Sequence, residues 1–131
     1  MSYKIGDFIT TIYNCAAARR RTATLSYSKV NKNIGDVLVK EGFLTSIKEE
    51  EKDGKKTLVA TLKFSKRMPA VRDIEIISKP SLRIYANTKQ VAQVKRKGRH
   101  RVILSTNKGI MEATMAQKEG IGGEILFTIN S

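Results

Sequence analysis

Phe43-Leu44-Thr45-Ser46-Ile47-Lys48-Glu49-Glu50, followed by Asp53-Gly54 and then by Lys56-Thr57-Leu58-Val59-Ala60-Thr61-Leu62-Lys63-Phe64, decides the fold class. Asp-Gly between two strand-like runs is the strongest short hairpin signal, because a tight two-residue turn needs left-handed backbone that these residues tolerate. Leu58, Ala60, Leu62 and Phe64 alternate with Thr57, Val59, Thr61 and Lys63, so one strand face is buried and the other partly wet. Upstream the period changes. Ile5, Phe8, Ile9, Ile12 and Tyr13 recur at i, i+3, i+4, i+7 and i+8, which predicts an amphipathic helix over about 4–18. Residues 22–27 read as a short strand. Ser28 is placed to cap a second helix with the stripe Ile34, Val37 and Leu38, and Gly42 to end it. Helix, strand, helix, strand, strand is an α/β lobe of the α+β kind.

Residues 65–67 form a polar, basic break before Met68-Pro69, and the lobe boundary is placed there: an N-terminal α/β lobe at 1–67 and a C-terminal lobe at 68–131. In the second lobe 72–78, 82–85, 101–105 and 124–129 read as strands, with a turn at Lys79-Pro80-Ser81. Val91 and Val94 suggest a short helix, and 111–119 reads as another, with Met111 and Met115 on one side. The lobe is mixed, with short helices.

Charge narrows the function. The formal net charge is +13, spread along the chain as +7 over residues 1–68 (14 basic, 7 acidic) and +6 over 69–131 (11 basic, 5 acidic). Between Ile76 and Met111 nine side chains are basic and none is acidic. A solvated face mixes both signs, whereas a one-sign stretch stores self-repulsion that a polyanion relieves as it displaces counterions. Lys95, Arg96 and Lys97 are the densest part of this stretch; either they contact a nucleic-acid backbone or the local helix packs differently. Arg19, Arg20 and Arg21 suit either the C-terminal end of the first helix or a phosphate, and both readings stand.

Enzyme chemistry finds little footing. His100 is the sole histidine and sits among Lys97, Arg99 and Arg101, with no carboxylate nearby to orient it. Glu49-Glu50-Glu51 fits a solvated hairpin tip better than a metal nuclease site. Gly120-Ile121-Gly122-Gly123 is too short and wrongly placed for a phosphate loop or a dinucleotide fingerprint. Cys15 alone makes neither an internal disulfide nor a cysteine zinc site, and reads as a small packed side chain in a reducing compartment. No apolar run approaches the ~20 residues that span a bilayer. The N-terminus has neither a signal-peptide core nor a presequence-like composition. No catalytic residue, metal, cofactor or membrane contact is expected.

Binding chemistry remains. Ser105-Thr106-Asn107-Lys108-Gly109 follows a strand and is expected to enter a helix. Its hydroxyls and amide suit base edges and 2′-hydroxyls, and its lysine suits a phosphate. A helix-capping turn explains the same residues, and both readings stand. Arg83 and Tyr85 share one strand face, where a tyrosine beside an arginine can stack an unpaired base. A half-buried strand tyrosine is the alternative.

Three separated motifs carry a resemblance: residues 77–85 (Ile-Ser-Lys-Pro-Ser-Leu-Arg-Ile-Tyr), residues 103–111 (Ile-Leu-Ser-Thr-Asn-Lys-Gly-Ile-Met) and residues 119–126 (Glu-Gly-Ile-Gly-Gly-Glu-Ile-Leu). Looser matches are an opening Asp-Phe-Ile helix with Asn14, then Ser28-Lys29 and Glu41-Gly42-Phe43. In this order, across essentially the whole chain, they resemble the ribosomal protein family numbered eight in the small subunit (the bacterial S-eight type). The resemblance implies two small α/β lobes and a non-catalytic ribosomal protein that binds the central domain of small-subunit ribosomal RNA and helps nucleate assembly. It places specific contact on Ser105, Thr106, Asn107 and Lys108, base stacking on Tyr85, and further RNA proximity on Gly122, Gly123 and Glu124. In the first lobe it places Asn14, Ser28 and Lys29 near RNA backbone. It implies neighbouring small-subunit proteins as partners, the protein's own messenger RNA as a further ligand, and a place in a cytoplasmic ribosome, an organellar one remaining open. Asn107 stands where the family usually has serine, Ser81 where glycine is usual, and the basic run 95–101 where many relatives are apolar. An RNA-processing enzyme and a general RNA-binding protein are the alternatives.

Overall fold

The computed structural model describes residues 4–94 and 100–130, so Lys95, Arg96 and Lys97 lie outside the described residues. In chain order the elements are α1 (Lys4–Ala17), β1 (Thr22–Ser26), α2 (Lys29–Lys40), β2 (Leu44–Lys52), β3 (Lys55–Leu62), β4 (Phe64–Ser65), β5 (Met68–Pro69), β6 (Asp73–Ile76), β7 (Tyr85–Ala86), α3 (Thr88–Val94), β8 (His100–Thr106), β9 (Gly109–Glu112), α4 (Ala113–Glu119) and β10 (Gly123–Asn130). They form two compact units, Met1–Arg72 and Asp73–Ser131.

In the first unit β1, β3 and β2 make an antiparallel sheet in that order, with Ala23 opposite Ala60 and Leu25 opposite Leu58. The expected alternation holds: Leu58, Ala60 and Leu62 are buried, and Asp53-Gly54 turns the chain with both residues at positive φ (53° and 77°). α1 packs on β1 and α2 on β2. The buried face of α1 is Phe8, Ile9, Ile12 and Ala16, which leaves Tyr13 at its edge, exposed. Ser28 caps α2 as its spacing predicts, its Oγ accepting the Asn31 amide at 3.0 Å. At the far end Gly42 (φ 87°) donates to the Val39 carbonyl and Phe43 to that of Leu38, so paired backbone bonds close the helix.

The same closure ends α1, where Arg19 donates to the Ala16 carbonyl at 3.0 Å and Arg20 to that of Cys15 at 2.8 Å. The left-handed residue here is Arg19, at φ 57°. Lys66 (φ 52°) and Arg67 (φ 69°) are left-handed too. They form the tip of a hairpin in which Phe64 pairs with Pro69 and Ser65 with Met68. Composition reads this stretch as an irregular break, because two-residue hairpin turns normally carry Asn, Asp or Gly. A side chain in this conformation costs roughly 1–2 kcal/mol per residue.

The second unit is a sheet in the order β6-β10-β8-β9, with β7 also pairing β10. Ala86, Val91, Val102, Leu104, Ala113, Ala116 and Ile125 form the core between one sheet face and the short helices, with Met111 half-buried against it. Two expectations change. The strand expected at 82–85 shrinks to Tyr85–Ala86. The helix expected to start at Met111 starts at Ala113, because Gly109–Glu112 pairs with β8 as a strand and Glu112 then caps α4, its carboxylate accepting the Thr114 amide at 2.5 Å. Residues 105–109 are therefore a hairpin turn, not a strand-to-helix junction. In β10 the register shifts between Ile125 and Phe127. Ile125 opposes Leu104 on the helix side, whereas Phe127 opposes Ile103 on the other. The continuous apolar run 125–127 is thus buried on both faces.

One contact in the first unit is testable by sign. The Ile47 side chain occupies the space that a Cβ on Gly35 would need. Gly35→Ala is expected to lose about 1–3 kcal/mol by overpacking, against a gain of about 1 kcal/mol in helix preference. In an Ile47→Val background, which removes the nearest methyl group, Gly35→Ala becomes neutral or stabilising. Urea unfolding of the four proteins checks the reversal.

Candidate nucleic-acid interface

Register assembles the site. Glu124 lies opposite Tyr85 on one side and opposite Ser105 on the other. Ser105 in turn lies opposite Ile110. Directly paired residues of antiparallel strands project from the same face, so Tyr85, Glu124, Ser105 and Ile110 form one row across three strand pairings. Residues far apart in sequence become neighbours, on the face opposite Ile125, Leu104 and the helices.

Each member of the row is held differently. Tyr85 is 67% exposed. A half-buried strand tyrosine is therefore not what the structure contains; a ring face is open for stacking. Arg83 precedes it by two residues, and its Nη1 donates to Glu124 Oε2 at 3.1 Å. The Glu124 side chain is only 14% exposed, so the pair is partly shielded and braces Arg83 beside the tyrosine. The segment before Tyr85 is short in regular structure and leans on Ser78, which is fully buried. The Ser78 hydroxyl accepts the Ile84 amide at 2.9 Å and donates to the Ile84 carbonyl at 3.3 Å. Lys79 and Leu82 exchange backbone bonds at 2.9 and 3.0 Å across the Pro80-Ser81 turn. Ser78 is a positioning residue that the sequence reading passed over. Its signal was a hydroxyl directly ahead of a Lys-Pro-Ser turn, the kind of residue that bonds backbone locally.

The hairpin tip sorts its polar groups. Thr106 pairs with Gly109, whose φ of 115° takes the left-handed bend so that Asn107 and Lys108 need not. The Thr106 hydroxyl donates to the Gly109 carbonyl at 2.8 Å and accepts the Lys108 amide at 3.2 Å. It shapes the turn. The Ser105 hydroxyl and the Asn107 amide have no hydrogen-bond partner among the described residues and remain available. Lys108 Nζ lies 3.1 Å from Glu119, with both side chains exposed. Such a pair contributes about 0–1 kcal/mol and yields readily to a phosphate.

Gly122 and Gly123 have a steric reason. A Cβ on Gly122 would overlap the Ala86 carbonyl, and one on Gly123 the Ser105 carbonyl. Backbone leaves no room to give way, so these glycines let β7 and β8 close on β10. The remaining expected residues lie in the first unit. Asn14 is exposed on α1. Ser28 uses its oxygen as a helix cap. Lys29 is exposed in the first turn of α2, where the helix dipole disfavours a cation. No described grouping of three or more His, Cys, Asp or Glu side chains could hold a metal, and no described helix is long and apolar enough to cross a membrane.

The sequence pattern of the family described as Ribosomal protein S8 matches residues 3–130. This chain belongs to that family. Small ribosomal subunit protein uS8 of Prochlorococcus marinus (strain MIT 9312) is 40% identical over 124 residues, covering 93% of this chain and 92% of the relative. The protein of the same name from Synechococcus sp. (strain RCC307) is 39% identical with the same coverage. The three motifs of the resemblance contain, in order, Tyr85, Ser105 with Ile110, and Glu124, the members of the row.

Removal of the Ser78 hydroxyl tests the support of this site. Ser78→Ala leaves the Ile84 amide without its partner and is expected to destabilise the second unit by about 1–3 kcal/mol. Amide exchange at Ile84 should accelerate more than at Leu104, as measured by hydrogen exchange.

Proposed function

We propose that this chain is a structural, non-enzymatic constituent of the small ribosomal subunit. It binds the central domain of small-subunit ribosomal RNA directly and helps nucleate assembly there. The row formed by Tyr85, Glu124 and Ser105 carries the reading: an open aromatic face, a braced guanidinium and a free hydroxyl lie side by side beside a turn that offers an amide and an ammonium. Stacking and base-edge bonds are the means by which proteins read unpaired RNA, and the scattered cations supply the salt-sensitive share of affinity. Both relatives are named as small-subunit proteins. Neighbouring ribosomal proteins are the further partners, the cytoplasmic ribosome is the setting, and a messenger RNA folded into the same shape would occupy the same surface.

Filter binding against a central-domain RNA fragment and a scrambled hairpin, at several salt concentrations, tests this. Tyr85→Ala and Ser105→Ala are each expected to cost about 1–3 kcal/mol on the cognate RNA and little on the scrambled one. Equal affinity of the unaltered protein for both RNAs at every salt would overturn the reading.

A further inference from the structure

Among the described residues four non-glycine residues take a positive φ, and three of them are cations: Arg19, Lys66 and Arg67. The fourth, Asp53, sits in an ordinary Asp-Gly turn. Glycine or asparagine suits each of these three backbone positions better. Strained backbone persists only where the surrounding structure enforces it, and it clusters at functional sites. Arg19 also reaches the hairpin that carries the other two. Arg19 Nη2 donates to Met68 Sδ at 3.8 Å, directly after the Lys66-Arg67 tip, and the Arg21 carbonyl accepts the Leu62 amide at 2.7 Å where β3 leads into that hairpin. Lys66, Arg67, Arg20 and Arg21 are exposed, and none has an ion-pair partner among the described residues. No carboxylate occurs between Asp53 and Asp73, or between Asp7 and Asp36.

We propose that the Lys66-Arg67 turn, with Arg19 beside it, is a second RNA-binding site that takes the phosphodiester backbone on the first unit. It is separate from the Tyr85, Glu124 and Ser105 row and rests on the proposal that the chain binds ribosomal RNA. Its chemistry is that of a backbone clamp. Two guanidinium groups and an ammonium offer charge and forked donors to phosphate oxygens and carry no base-reading group. The tight turn fixes the two adjacent cations on a short hairpin, which reduces the conformational freedom lost on binding. Affinity gained here is therefore independent of base sequence and steep in salt.

Two double variants separate charge from backbone. Lys66→Asn with Arg67→Gly gives the turn its preferred residues and should raise Tm by a few degrees. Lys66→Gln with Arg67→Gln keeps the strained backbone and should leave Tm unchanged or slightly lower. Both should lower the slope of log affinity against log salt by about 2, roughly one per lost cation, on the central-domain fragment. The ratio of cognate to scrambled affinity should stay the same. Lys52→Gln with Lys55→Gln removes the same charge beside the Asp53-Gly54 turn and should change the slope little.

If the unaltered protein binds the fragment and the Lys66/Arg67 variants keep its slope, the second site is overturned while the row stands. An equal fall in the Lys52/Lys55 control assigns the effect to net charge and also overturns it. An unchanged RNA slope with lost incorporation into subunits would assign the turn to an acidic protein surface instead, which overturns it as well. If the unaltered protein binds neither RNA at low salt, the parent proposal fails and this one with it.

Discussion

The second unit depends on how closely β10 approaches two neighbours at once. At Gly123 its backbone lies against the Ser105 carbonyl, and at Gly122 against the Ala86 carbonyl. Only residues without a Cβ permit this. With both approaches made, Glu124 falls between Tyr85 and Ser105, and three distant segments become one surface. The polar groups of that surface are individually unremarkable. Their alignment is what the proposed RNA contact depends on, and the alignment is a property of backbone spacing.

The groups around the row divide into those that shape and those that offer. Ser78 and Thr106 use their hydroxyls within the protein, on Ile84 and on the Gly109 turn. Tyr85 and Ser105 keep their hydroxyls, and Asn107 its side-chain amide, free of partners among the described residues. Arg83 belongs partly to each class, since Glu124 holds it in place. A surface so divided is pre-organised, so binding loses less rotamer freedom than a set of loose side chains would. The first unit is organised differently. Arg19, Arg20 and Arg21 follow a helix end, and Lys66 and Arg67 form a turn.

Much of this was legible in the chain. Alternation at Leu58, Ala60 and Leu62, the helical stripe at Phe8, Ile9 and Ile12, and the Asp53-Gly54 turn each have one physical reading, and the structure adopts it. The second-unit residues proposed to face RNA come from the three motifs. What a one-dimensional reading missed has three causes. The stretch Gly109–Glu112 became a strand because β8 offered an open edge, a tertiary demand that local pattern does not record. The Lys66-Arg67 hairpin hid because its turn residues break the usual preference. Ser78 hid because a buried hydroxyl resembles any serine until its partners are known.

The irregularity in β10 has a consequence for how such a chain can change length. Ile125 and Phe127 face opposite sides because one extra residue sits between them, and the sheet is buried on both. Deleting Leu126 would leave Ile125 opposite Leu104 and Phe127 opposite Ile103 in an unbroken ladder, whereas deleting a paired residue such as Thr128 would turn the strand beyond it over. Insertions at the Lys52–Lys55 turn only lengthen an exposed tip. Variation in length is therefore channelled toward the β2–β3 tip and away from the paired positions of the closing strand, each of which sets the facing of all that follow it.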